Sequence, residues 1–596
     1  MAIESKPRAE MDARWQWRLN DIIASDAAFE TLFEETRQMV KAFERFEGKV
    51  ADEPREAVKE SFGIQQSIEK LYAFAVMKRD EDAENNTYQA LAARAQTLAV
   101  SAQSASAFLR PELLKLPDET FQGLIKDPAM ADYSTYLKDL LRDKPHTLPF
   151  EQEKLLAMAG DALDAPQTAF SMLDNVDMPF PMVKNDEGED VRLSHAKYGT
   201  LIRSKHREVR KEAFNGMMNS FKAFASTVSA LYAGSVKGDV FTARARRFDS
   251  ALAASLHPDE VPTAVYENLL AAVHDALPDL NRYLALRKKV LNVDELHLYD
   301  LYVPMVDDVK MDMDYPEAFK LVLSALAPLG DDYLDTLKKA YNEGWIDVYE
   351  NKSKRSGAYS WGCHGVHPFV LLNFEKGLDG ASTLAHELGH AMHSFYSDGA
   401  QPYAKAGYSL FVAEVASTCN EVLLAKYLMN KYKDDKKTLA FLLNDLLESF
   451  RTTLFRQTLF AEFEKASHAM AEKDEALTKE SLSAVYKEIN AKYYGGECVI
   501  DEEIASEWMR IPHFYTAFYV YKYATGFSAA VAIASRILKE GAPAVKDYKN
   551  FLSAGGSVPP IEALKYAGVD MGSEKPVRDA LKVFADTVTE LEGLLK

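Results

Sequence analysis

The chain has 596 residues, 47% apolar and 27% charged, with a net charge of −20. Such a composition is that of a globular protein, and so acidic a chain lacks the basic footprint that phosphate binding demands, so nucleic acid is not an expected partner. No stretch is long and apolar enough to span a bilayer; the nearest, Tyr523–Ser535, is uncharged but too short and reads as a buried helix.

At roughly 150 residues per domain the length suggests about four units, although large helical enzymes often condense into two lobes. The cysteines Cys363, Cys419 and Cys498 are too few for a disulfide framework and too dispersed for a metal cluster. The first ten residues contain no apolar core of a leader peptide. A reducing, cytoplasmic setting is expected.

Apolar residues at three- and four-residue steps predict helices over Ala27–Phe43 and Arg55–Phe74. A polar break at Asp80–Asn86 precedes an alanine-rich helix over Thr87–Phe108. A further helical stretch opens at Thr147-Leu148-Pro149, and Ala165-Pro166 marks its expected boundary. The prolines of Asp177–Pro181 and the turn Asn185–Gly188 predict a small hairpin reaching Val191. Ser194 to about Leu291 reads as helix, with basic stretches at Arg203–Lys211 and Arg244–Arg247 that suit a solvated face. Leu298–Pro304 is expected to be extended, and Tyr315–Glu343 helical. Arg355–Gly362 and His367–Phe374, aromatic and aliphatic between glycine and proline, predict two strands. Beyond Glu414 the pattern is almost wholly helical, broken at Tyr494–Gly496 and Gly555-Gly556.

The chemistry is concentrated in Thr383–Met392, which contains His386-Glu387-x-x-His390. On a helix, positions four apart share a face. Two imidazoles so placed can bind one metal ion, and the adjacent Glu387 can reach a water on it; this is the arrangement of metal-assisted hydrolysis. Gly377–Gly380 is a turn cluster, Ser382 or Thr383 is the expected cap, and Ser397–Gly399 the expected end. A third ligand is needed. Glu414, on the helix expected to open at Phe411, lies 24 residues beyond His390 and can return on an antiparallel helix. His393 is the other candidate, but one straight helix poorly surrounds a metal, so His393 is read as packing behind the ligands.

A second stretch, Arg510–Gly526, carries His513 and then Tyr515, Tyr519 and Tyr523 at four-residue spacing. Tyrosine hydroxyls and a histidine N–H can take negative charge that builds on a carbonyl oxygen during amide hydrolysis. The same spacing on one helix face equally suits packing.

The stretches HELGHAMH (386–393), FVAEVAST (411–418), GAYS (357–360), HPFVLLNF (367–374) and PHFYTAFYVYKYATG (512–526), in this order, resemble oligoendopeptidase F, the bacterial branch of the thimet-oligopeptidase-like zinc metallopeptidases. The resemblance implies a mainly α fold with two lobes flanking a deep channel and a small β-sheet next to the metal helix. It implies an N-terminal helical region over 1–193 and a catalytic domain over 194–596. One Zn²⁺ per chain would be held by His386, His390 and Glu414, with Glu387 as general base. The family's transition-state histidine falls on His513 and its tyrosine on Tyr515 or Tyr519. Glu421, seven residues after Glu414 and so on the same helix face, is expected to orient a ligand histidine. Short peptides are the implied substrates; read from the strand pattern, the edge at Gly357, Ala358 and Tyr359 could take such a peptide as an added strand, a buried hairpin being the alternative, with Tyr523 as a further substrate contact. An exopeptidase of the same metal class and a non-catalytic helical peptide-binding protein are the alternative readings.

Overall fold

Amphipathic periodicity is realised as helix almost everywhere, and among the described residues strands are confined to seven short segments. The computed structural model describes residues 6–595; the first five residues of the N-terminal stretch lie outside them. Two compact units form, each from three separated stretches: Met1–Pro145, Lys310–Tyr427 and Ile533–Val569 in one, His146–Val309, Leu428–Ala532 and Asp570–Lys596 in the other. Among the described residues, no helix is long and apolar enough to cross a membrane.

In the first unit, helices Asp26–Phe43, Pro54–Glu81 and Asn86–Ala105 pack through Phe29, Phe43, Leu71, Phe74, Leu91 and Leu98. Their starts are chemically marked. Ser25 accepts the Ala28 N–H, Pro54 occupies the first turn, and the Asn85 side chain accepts from Thr87 and Tyr88. The two expected strands are present as Tyr359–Trp361 and Phe369–Leu371, paired antiparallel with Ser360 opposite Val370. Ile346–Asp347 adds in parallel on the other side, leaving Tyr359–Trp361 at the edge. Phe369 and Leu371 enter the same core as the helices.

A fully buried lysine locks this sheet. The Lys354 ammonium pairs with Asp347 at 2.6 Å and donates to the carbonyls of Tyr349 at 2.8 Å and Leu372 at 2.5 Å. Arg8 reaches the same Asp347 carboxylate at 2.8 Å. Burial lowers the Lys354 pKa, yet pairing and three-fold hydrogen bonding satisfy the ammonium.

The metal-motif helix runs Leu378–Ala400 and begins earlier than the expected cap. Gly377, at φ +114°, precedes it, and a Cβ on Gly380 would meet the Glu375 carbonyl oxygen at 1.9 Å. The chain therefore turns on glycines, and Thr383 instead donates back to the Asp379 carbonyl at 2.9 Å inside the helix.

In the second unit the expected hairpin is present as Met182–Lys184 against Asp190–Arg192, its turn held by the Asn185 side chain accepting from Glu187 and Glu189 N–H groups. Two expectations are corrected. Pro166 does not end a helix but lies within Phe150–Met172; its ring packs over Gly234, whose missing side chain leaves room. Leu298–Pro304 is not a strand. Leu296–His297 pairs with Cys498–Val499, and Leu298–Asp300 turns at once because buried Asp300 accepts the His297 N–H and pairs with Arg207 and Arg210.

In the second unit half-buried Glu448 lies between the fully buried Arg287 at 2.6 Å and Arg451 at 2.7 Å. Burial alone would raise the Glu448 pKa, but the two guanidinium groups hold it down to about 2. Because this lies below the ordinary value of 4.5, ionised Glu448 stabilises the fold above about pH 4.5, and that contribution is lost as pH falls toward 2. Glu448→Gln is expected to destabilise the protein by about 3–5 kcal/mol at neutral pH. In thermal unfolding from pH 7 to pH 2, the gap between variant and wild type should close on the acid side.

Candidate active site

Three donor atoms converge in the first unit. His386 Nε2 and His390 Nε2 lie 3.2 Å apart, and each lies 3.4 Å from Glu414 Oε2. A tetrahedral ion with nitrogen and oxygen donors at about 2.0–2.1 Å has donor–donor edges of about 3.3–3.4 Å. The triangle has the dimensions of one face of such a site, so these three donors could hold a metal ion. His393 is outside it: fully buried, it stacks on Tyr408 at 3.7 Å and 6° and packs against Phe551, and burial drops its pKa to about 3.

Neighbouring groups prepare the donors. His386 Nδ1–H donates to Glu421 Oε1 at 3.2 Å, so the Nε2 lone pair faces the site. Burial would lower the His386 pKa, but the carboxylates of Glu421, Glu414 and Glu387 together outweigh it and raise it. Ser417 Oγ–H donates to Glu414 Oε2 at 3.0 Å. The hydrogen bond from His390, aided by the charge of both imidazoles, holds Glu414 down to about 2. Glu387 differs from both: it is 6% exposed, one carboxyl oxygen has no protein partner, and burial raises its pKa. A metal-site triangle beside an unpartnered carboxyl is what a proton acceptor for water requires.

The helices carrying these groups, Leu378–Ala400 and Leu410–Lys431, touch backbone to backbone. A Cβ on Gly389 would lie 2.5 Å from Ser417 Cα and 2.6 Å from the Ala416 carbonyl oxygen. Buried Asn420 clamps the contact, donating to the Ala385 carbonyl at 3.0 Å. Gly389, Asn420 and Ser417 do not stand out in sequence reading. The available signal is the glycine itself, which costs about 1 kcal/mol inside a helix and so needs a packing reason.

Beside this helix lies the edge strand Tyr359–Trp361, whose extension Gly362 would bring a Cβ to 2.9 Å from Ser394. Gly357, at φ +82°, is exposed and its carbonyl accepts from Asn373 at 2.8 Å. Ala358 is half-buried. The Tyr359 hydroxyl is tied back to Asp80 at 3.0 Å.

In the second unit the tyrosines do not share one helix face. Pro512–Tyr515 is a short turn, the helix resumes only at Tyr521, and between them Phe518 adopts φ +56°. That break groups His513 with Tyr519 and Tyr523, their rings 5.4–6.3 Å apart. His513 is exposed, and Tyr519 and Tyr523 are half-buried. Tyr515 is separate, stacked on Phe170 at 4.4 Å, with its hydroxyl buried and without a partner.

The sequence matches the model of peptidase family M3 over residues 200–583 and that of oligopeptidase F over residues 112–180. This chain belongs to peptidase family M3. It is 43% identical to oligopeptidase PepF of Bacillus subtilis over 592 residues, 99% of this chain and 88% of that protein. It is 39% identical to group B oligopeptidase PepB of Streptococcus agalactiae, covering 99% of each. The crystal structure of oligoendopeptidase-F from Enterococcus faecium superposes with a TM-score of 0.74 at 36% identity, covering 96% of this chain and 99% of that one. A crystal structure from Chlamydophila abortus gives 0.93 at 34%, covering 99% and 100%.

The glycine contact is testable in this M3 chain. Gly389→Ala is expected to separate the helices, lower affinity for zinc at least about tenfold and cost about 1–3 kcal/mol. Gly399→Ala, on the same helix where a Cβ meets open space, should leave affinity unchanged. Competition titration with a chromogenic chelator and thermal unfolding read both.

Proposed function

We propose that this chain is a zinc metalloendopeptidase that hydrolyses internal bonds of oligopeptides. The observation that carries the reading is the donor triangle of His386, His390 and Glu414 beside the unpartnered carboxyl of Glu387. Whole-length similarity to proteins named oligopeptidases supports the substrate class. The three buried, unpaired cysteines suit a reducing cytoplasm.

One zinc ion per chain would be held by His386 Nε2, His390 Nε2 and Glu414 and would supply Lewis acidity there. The protein's own groups do the rest. Glu387 accepts a proton from the attacking water and returns it to the leaving amine. Its burial raises its basicity, which suits it to accept that proton. Glu421 keeps the His386 ring oriented and Ser417 keeps Glu414 oriented. The peptide lies extended against the edge strand Tyr359–Trp361, from Gly357 and Ala358 onward, adding itself as a strand. His513 and Tyr519 donate to the developing oxyanion, with Tyr523 lining the substrate. Tyr515, stacked under Phe170, is left to packing. The N-terminal region, 1–193, supports a catalytic region over 194–596.

The test is zinc content per chain together with cleavage of an internally quenched, end-blocked peptide of about ten residues. One zinc and chelator-sensitive internal cleavage are expected. Glu387→Gln is expected to keep zinc while kcat falls about 10²–10⁴-fold. Near-normal turnover in that variant would remove Glu387 from the mechanism. One zinc with cleavage only of peptides bearing free ends would identify an exopeptidase.

A further inference from the structure

The segment Thr516–Val520 joins the turn Pro512–Tyr515 to the helix Tyr521–Glu540 and carries Tyr519. Its residue Phe518 has φ +56°, a conformation that a bulky non-glycine residue keeps only where its surroundings over-determine it. Three contacts do so. The Phe518 N–H donates to Glu464 Oε1 at 2.9 Å. The Ser255 hydroxyl donates to the Ala517 carbonyl at 2.9 Å. The Phe518 ring, almost fully buried, packs on His468 at 4.5 Å and edge-on to Tyr266 at 5.8 Å.

Glu464 is the unusual member. It comes from the helix Arg456–Glu472 and is 0% exposed. Its second carboxyl oxygen has no partner. Burial drives it strongly toward the neutral acid. An apolar side chain here would remove the orphaned oxygen but would leave the buried Phe518 N–H without its acceptor. What Glu464 does provide is an acceptor for one backbone N–H, that of the strained residue next to Tyr519.

We propose that Glu464 is a positioning residue: it locks Phe518 in the left-handed conformation and thereby aims the Tyr519 hydroxyl for catalysis. This rests on the assignment of Tyr519 to the oxyanion. Buried and used only through its acceptor oxygen, Glu464 acts without touching substrate. Glutamine keeps that oxygen and the shape; methionine keeps the shape and loses the acceptor.

The experiment uses the zinc-loaded full chain with an end-blocked quenched peptide and compares Glu464→Met, Glu464→Gln, Tyr519→Phe and the Met/Phe double variant. Expected results are a drop in kcat of about tenfold or more for Glu464→Met and for Tyr519→Phe, with KM changed less than about twofold. Glu464→Gln should restore most of the turnover. In the Tyr519→Phe background, Glu464→Met should cost less than about twofold more, because both act through one hydroxyl. Should Glu464→Met fail to fold, Ser255→Ala, which removes the neighbouring pin, takes its place in the same cycle with a smaller expected loss of about threefold. Additive losses, or full turnover in Glu464→Met or its substitute beside an impaired Tyr519→Phe, would overturn the positioning role and leave Tyr519 in place. Full turnover in Tyr519→Phe would overturn the assignment of Tyr519 and the proposal together.

Discussion

Two helices meet at a glycine, and the geometry of the donor triangle follows from that contact. With no side chain at Gly389, the backbone around Ala416 and Ser417 approaches to within the reach of a missing Cβ. Glu414, one turn earlier on its helix, is thereby brought level with His386 and His390 on the other. Helix axes usually stand 8–10 Å apart, separated by side chains. At an ordinary separation the carboxylate would not close a triangle with edges of 3.2–3.4 Å. The Asn420 clamp on the Ala385 carbonyl fixes the sliding register of the pair, which the glycine alone would leave free.

Electrostatics then separate carboxylates that lie close together. Glu414 is held ionised by the imidazoles it faces, and Glu421 is engaged with His386. Glu387 is buried without a partner and its proton affinity is raised. Opposite environments along one helix pair thus suit these carboxylates to three different tasks, those proposed for a ligand, an orienting group and a base. His393 shows the converse. An imidazole three residues past His390, but sealed under Tyr408, loses proton affinity through burial and serves as core.

The second unit handles polar groups differently. Glu448 is satisfied by two arginines, whereas Glu464 accepts a single backbone N–H and leaves an oxygen unmatched. Paired charges of the first kind hold helices together. The second kind occurs where backbone is held in a rarely adopted conformation, next to groups suited to bind an oxyanion.

The sequence by itself determined most of the helical layout, the hairpin at 182–192, the strand pair before the metal helix, and the candidacy of His386, Glu387, His390 and Glu414. These follow from local rules: period, turn chemistry, and the four-residue step that sets two imidazoles on one face. The tertiary structure alone decided the rest. Pro166 continues a helix because Gly234, remote in sequence, makes room for it. Leu298–Asp300 turns because Arg207 and Arg210 bind Asp300. Tyr515 parts from Tyr519 and Tyr523 at the break around Phe518, whose N–H finds its acceptor on Glu464, 54 residues earlier. Each outcome depends on a partner distant in the chain, and spacing along a sequence carries no information about which distant backbone will come into contact.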